Sequence, residues 1–388
     1  MAGYGLRPAI LALLSMLALS VFTAGCVGLR YANTAPLIER HIRASHDPTW
    51  VVMFKSSLLH PARDVLVLDP LWRLLFGDEA WNREGSGVAD SSFYRNRRTG
   101  ELTPARVALG PCTMPPPQPP FRIDKIKVGR ATPGFIGRDA QGRRFLFKLD
   151  HPDYPELGTS AAVIGSRILW ALGYNIPPVF LVRIEGTGNA RFDGRRATAA
   201  LVLDNVRGHF RFDWFRYRRE LRGLRLASAW INDTDRASTN TLVVVADGVA
   251  KYYLIDFNSC LGSWQGRPKE RWRGHRYACE LGWVPLRVLS LGLLHPEPDP
   301  HQPVTSPAVG RFDARFEPLR WRSQAPNTAF DHMTERDLCW MVERIRRLGR
   351  PHIEAIVAEA RLSNPGDARY LVEILLQRRE RIVALVPD

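Results

Sequence analysis

Beyond about residue 120 the apolar positions fall into two different rhythms. Residues 125–129, 134–138 and 143–150 are short apolar or alternating runs separated by glycine-containing turns, and each predicts a strand. Asp139-Ala140-Gln141-Gly142 marks the turn between the second and third. Residues 158–172 have helical composition, with Gly173 as the stop and Pro177-Pro178 beyond it. Residues 179–184 and 197–203 predict two further strands. From about residue 206 the chain becomes mainly helical. A helix over 220–231 runs into Asn232-Asp233-Thr234-Asp235, and a hairpin follows with arms at 242–245 and 251–255 around Asp247-Gly248. Thr334 can cap a helix, with Asp337 three residues on and Gly349 and Pro351 as stops. Pro365 opens the last helix, in which Leu371, Ile374, Leu375, Ile382 and Leu385 fall mostly on one face.

The first 120 residues have a different texture. Arg7 precedes an apolar run over 8–22, and Thr23-Ala24-Gly25-Cys26 follows. That order is the layout of a secretory signal, residues 1–25, with a small-residue cleavage site. Ala24-Gly25-Cys26 resembles the box of bacterial lipoproteins, which implies a lipidated Cys26, although Thr23 stands where that box usually has leucine. The expectation is an exported, cell-envelope protein, anchored to the membrane on its periplasmic side. An uncleaved anchor is the alternative. Residues 26–110 form a leading region with an apolar stretch at 65–75 and a polar loop at 85–99, and carry no motif. Residues 111–120 hold six prolines and predict a stiff extended connector. The division is therefore signal 1–25, leading region 26–110, connector 111–120, a strand-rich unit 121–205 and a helical unit 206–388.

Composition changes this picture in two respects. A 45% hydrophobic and 24% charged chain is an ordinary globular one, which excludes fibrous and disordered classes. Its +15 net charge favours anionic partners such as phosphates or acidic headgroups, but no compact basic run points to specific nucleic-acid binding. With Cys26 lipidated, four cysteines remain. Cys260 and Cys279 are the nearest pair for a disulfide, and plain buried thiols are the alternative. No Cys-x-x-Cys spacing supports zinc. Ser166, Ser228 and Ser259 lack the frame of a hydrolase elbow.

The chemistry lies in three strings. Phosphoryl transfer needs a lysine on the phosphates, carboxylate and amide oxygens for Mg²⁺, and a carboxylate facing the nucleophile. Asp235 and Asn240 stand five apart, the separation found in kinase catalytic loops. The hairpin then leads to Leu254-Ile255-Asp256-Phe257, where a second metal-binding aspartate is expected. Upstream, Phe145-Leu146-Phe147-Lys148-Leu149 alternates, so Lys148 points away from the face of Phe147.

These strings, together with Ala171-Leu172-Gly173-Tyr174-Asn175-Ile176-Pro177, make residues 121–388 resemble the HipA-like and phosphatidylinositol-kinase-like branch of the protein-kinase fold. The resemblance implies an α+β, two-lobed kinase-like architecture. A small antiparallel lobe with one helix would sit against a larger, mostly helical lobe. It implies that Lys148 contacts the phosphates of ATP, that Asp235 is the base, and that Asn240 and Asp256 bind Mg²⁺. Asp233 is the alternative base, at seven residues from Asn240.

The sequence departs from the pattern at several places. Asn258 replaces the glycine after the second aspartate, no glycine-rich phosphate loop is present, and no His-Arg precedes Asp235. The helix after Lys148 contains no glutamate, which leaves Glu156 as the nearby partner for the lysine. The function expected is phosphoryl transfer from Mg-ATP to a protein, lipid or small-molecule acceptor. A catalytically inactive binding or scaffold module and a nucleotidyl transferase are the alternatives. Trp264 and Trp272 are candidates for a substrate entrance.

Overall fold

The computed structural model describes residues 42, 44–55, 77–127, 132–278 and 301–387. The signal segment, Cys26, the apolar stretch at 65–75 and Cys279 lie outside them. Among the described residues no helix is long and apolar enough to cross a membrane.

The leading region is built into the fold. It holds helix α1 (Thr49–Phe54), a ribbon of β1 (Arg83–Glu84) and β2 (Gly87–Val88), and helix α2 (Pro104–Leu109). Phe93, Tyr94, Leu102 and Val107 enter the larger of two hydrophobic cores. Trp81 stacks on Tyr217 at 3.9 Å, and Asn82 Nδ2 donates to the buried Glu220 carboxylate at 2.6 Å.

Five strands form one antiparallel sheet in the order β3 (Arg122–Ile126), β4 (Gly134–Arg138), β5 (Arg144–Leu149), β7 (Arg196–Leu201), β6 (Val179–Arg183). β3 starts three residues before the expected 125. Its pairing runs from Arg122 opposite Arg138, with a bulge between Ile123 and Lys125 that blurs the alternation. In β5, Phe145, Phe147 and Leu149 are buried on one face, and Lys148 lies on the other. Phe121, Phe135 and Phe180 join that buried face to make the smaller core. Phe135 stacks on Phe147 at 4.5 Å. Gly134 is dictated by this register, since a Cβ there would sit 2.1 Å from the Phe147 carbonyl oxygen.

The proline-rich stretch covers this sheet. Met114 packs on the aromatic core, Cys112 Sγ donates to the Val179 carbonyl, and Arg143 donates to the carbonyls of Pro115 and Pro116. Proline carbonyls suit this role because proline has no N–H of its own to satisfy.

Helix α3 (Leu157–Ala171) crosses between β5 and β6, and all fifteen of its residues are buried. A helix apolar or small on every side is one packed on every side. Asp150 caps it, accepting the Thr159 and Glu156 N–H groups at 2.8 and 3.0 Å. α3 belongs to the larger core, which gathers α4 (Arg219–Trp230), α5 (Thr328–Asp331), α6 (Glu335–Arg346), α7 (Arg350–Ala358) and α8 (Pro365–Val383). A second antiparallel sheet, β8 (Val206–Gly208), β9 (Thr241–Ala246) and β10 (Val249–Leu254), flanks them in the order β10-β9-β8, and a small ribbon, β11 (Ser263–Trp264) with β12 (Arg267–Pro268), follows. The expected capping box is present: Thr334 Oγ1 accepts from Asp337 N–H, and the Asp337 side chain answers. Gly349 and Pro351 end α6 as expected. They also start α7, a helix that their breaker character hides in the sequence. The described residues thus make an α+β fold with a five-stranded and a three-stranded antiparallel sheet, two small ribbons and two cores.

Candidate active site

Three elements bring the sequence-predicted residues together. β5 presents Lys148 from the face opposite its aromatic core. The loop after α4 carries Asp235 and Asn240. The end of β10 delivers Asp256. Lys148 Nζ lies 2.6 Å from Asp256 Oδ2. Asn240 Nδ2 donates to the Asp235 carbonyl at 2.5 Å, which closes the five-residue loop on itself. The loop is tied to the following strand by Ile255 N–H donating to the Asn240 carbonyl at 3.0 Å.

Asp256 sits in the left-handed region at φ 62°. That conformation costs a residue with a Cβ about 1–2 kcal/mol and is rarely kept without a reason. Its Oδ2 holds the lysine, while the buried Oδ1 has no hydrogen-bond partner in the protein. A buried carboxylate oxygen without a donor is an acceptor open to a cation.

The two carboxylates are driven in opposite directions. Burial pushes Asp235 up to about 7, and the negative charges of Asp256 and Asp233 add to it against the opposing pull of Arg236. Burial also acts upward on Asp256, but the Lys148 ammonium beside it overrides this and holds the carboxyl below its ordinary value. Such a split separates a proton-accepting group from a permanently charged one.

Arg236 is the residue that sequence reasoning missed. It is fully buried and paired with Asp233 at 2.6 Å. Its guanidinium also donates to the carbonyls of Asn240, Ile255 and Asp256 at 3.0, 2.8 and 3.3 Å. It therefore pins the Asp235 loop to the Asp256 strand. The signal was its place directly after Asp235, but a lone arginine in a loop normally reads as solvated. Asp233 is fully buried and gives its Oδ2 to this pair, while its buried Oδ1 has no hydrogen-bond partner. Lys269 works in the same way. Buried and lowered to about 7 by that burial, it donates to the carbonyls of Asn232, Ser259 and Leu261, at 2.5, 2.9 and 2.7 Å.

One expectation is corrected, and the reading of the cysteines as plain thiols holds where they are described. Glu156 is not the partner of Lys148. It accepts from Ser363 N–H at 3.0 Å and lies 3.5 Å from Arg196, so among the described residues Asp256 is the carboxylate that faces the lysine. Cys260 is a free buried thiol, as is Cys112, and Cys339 is also free; the proposed partner Cys279 lies outside the described residues. Asn258, at the position of the missing glycine, donates to Thr132 Oγ1 at 2.9 Å and so fastens the β3–β4 connection to the segment after Asp256. Trp264 and Trp272 clasp the Arg273 guanidinium at 3.4 and 4.3 Å. Arg273 in turn donates to Gln324 at the edge of a cleft beside Asp235.

Among the described residues no group of three or more His, Cys, Asp or Glu could hold a metal by itself. The open oxygen of Asp256 and the amide of Asn240 suit a hard cation that takes its other ligands from phosphates and water. No family model matches the chain, and no curated protein matches it. Among solved structures it is similar to a Helicobacter pylori proinflammatory kinase, CtkA, at 12% identity and a TM-score of 0.40, over 67% of this chain and 94% of that one.

Proposed function

We propose that the chain is a kinase-type phosphotransferase of the HipA-like and phosphatidylinositol-kinase-like branch, with a two-lobed site, using Mg-ATP and working outside the cytoplasm from a lipidated Cys26. The observation that carries the catalytic part is the Lys148–Asp256 contact beside an Asp235 whose proton affinity is raised to about 7. In this reading Lys148 holds the phosphates. Asp256 and Asn240 would hold Mg²⁺, which neutralises charge on the transferred phosphoryl group. Asp235 accepts the proton of the acceptor hydroxyl, and a carboxylate titrating near 7 is matched to that task. Arg236 keeps the base and the metal ligand at a fixed separation through its bonds to both segments.

Transfer of the γ-phosphoryl group to water or an added acceptor tests this reading. Asp235→Asn should keep nucleotide binding and lose about 10²–10⁴-fold in transfer rate, the usual worth of a positioned base. Equal rates for the two proteins would refute Asp235 as the base.

A further inference from the structure

Outside the Asp235 site the fold gathers five arginines from three places. Arg95 and Arg97 come from the segment after β2, Arg106 from α2, and Arg344 and Arg347 from the end of α6. The guanidiniums of Arg97 and Arg106 both lie over the Trp170 ring of α3, each 4.1 Å from its centroid. Arg344 donates to the Tyr94 hydroxyl at 2.8 Å, and Arg97 and Arg347 lie close enough to act on the same hydroxyl. We propose that this arginine face docks the protein on the headgroups of an anionic phospholipid surface. The proposal goes beyond the phosphotransferase reading and does not depend on it.

Charge is the first support. Among the described residues no ion pair joins any of the five to a carboxylate. The two nearby carboxylates are engaged by other groups: Asp90 accepts from the Asn96 N–H at 2.6 Å, and Glu101 from the Arg98 N–H at 3.3 Å. The wholly buried Arg218, Arg219 and Arg222, by contrast, are each paired with Glu220 or Asp337. Arg97 is half-buried, and its Nη1 is enclosed without an acceptor. Burial lowers it to about 10, and the charges of Arg95 and Arg106 push it the same way. A half-buried cation crowded by like charges is costly unless anions come to its outer side. Arg95 and Arg347 are exposed and open that side to them.

Geometry then selects the partner. Two cations cannot share one face of the Trp170 ring at that distance, so the indole stands between Arg97 and Arg106. One phosphate cannot be gripped by both, whereas neighbouring headgroups of a bilayer can each meet one. Leu109, three residues on from Arg106 and so its neighbour on α2, is 46% exposed. It gives the face an apolar side chain to enter the headgroup layer. A nucleic acid would offer a similar row of charges but nothing for Leu109. A surface dock also fits a chain held at a membrane through Cys26, because an acyl anchor and a basic patch reinforce one another.

The test is co-sedimentation of the full chain with vesicles, phosphatidylcholine alone against phosphatidylcholine mixed with phosphatidylglycerol. Binding should favour the anionic vesicles, and the preference should fall as salt rises. Arg95→Glu with Arg347→Glu should cut the preference about tenfold or more. Arg320→Glu with Arg381→Glu makes the same charge change at exposed positions on other elements and should leave it intact. The preference should also survive Cys26→Ser, which assigns it to the arginines and not to a lipid. Equal losses in the two double variants would reduce the effect to net charge and overturn the proposal. So would equal binding to the two kinds of vesicle, or a preference that vanishes with Cys26→Ser. Duplex RNA binding that responds to Arg95→Glu and Arg347→Glu, when vesicle binding does not, would give the face to nucleic acid instead.

Discussion

As the proposed base, Asp235 would set the pH behaviour of the site. As a base it must be ionised, so transfer should rise with pH and level off above about 7. The same shift acts on stability. A carboxyl whose folded value is raised binds its proton more tightly when folded. Its contribution is fully present below about 4 and is lost as pH climbs through 7. Asp235→Asn should therefore melt with wild type at pH 4 and above it at pH 8, in thermal unfolding followed across that range. A variant less stable than wild type at pH 8 would contradict the burial of this charge. The residues proposed to carry the chemistry could be picked out because the proposed roles depend on spacing. Asp235 and Asn240 lie five apart, Lys148 alternates with Phe147, and Asp256 ends a hairpin arm. Arg236 and Lys269 were not legible, because nothing in a sequence separates a charge that holds carbonyls together from one that faces water.

At the scale of elements, α3 is the piece that joins the sheet to the Asp256 segment. Gly165 in its middle faces Phe257 and Cys260, and a Cβ there would lie 2.8 Å from the Cys260 sulfur. Gly165→Val should cost about 1–3 kcal/mol, as overpacked sites do, measured by urea unfolding. It should also weaken nucleotide binding, because the segment that must yield follows Asp256 directly. Unchanged stability would mean that this packing is looser than the contact distances indicate. The helices with strong caps, such as α6 after Thr334 and α8 after Pro365, could be read from the sequence. α7 could not, because Gly349 and Pro351 spell a stop and a start in the same letters. β8 was hidden too, a three-residue strand with only Gly208 buried and no alternation to announce it.

For the molecule as a whole, the leading region is the least legible part and one of the most integrated. Phe93 stacks on Tyr252 at 4.0 Å, and the Arg219 guanidinium reaches both the Ser86 carbonyl and the buried Asp337. A chain cut to residues 111–388 would expose the faces that Phe93, Tyr94 and Val107 cover. It should lack the near-ultraviolet circular dichroism of a packed core and should aggregate. A well-folded, soluble product would show that the region is an accessory. The sequence offered residues 85–99 only as a polar loop, because partners such as Gly173, Tyr252 and Arg344 lie far along the chain and leave no local period.

The most direct test is the thermal shift of the protein with Mg-ATP, beside the Asp256→Ala variant. Millimolar nucleotide should raise the melting temperature of wild type by about 2 °C or more when Mg²⁺ is present. The variant should show no rise, having lost both the open oxygen of Asp256 and the partner of Lys148. No shift in wild type, or the same shift in both proteins, would contradict the assignment of this site to Mg-ATP.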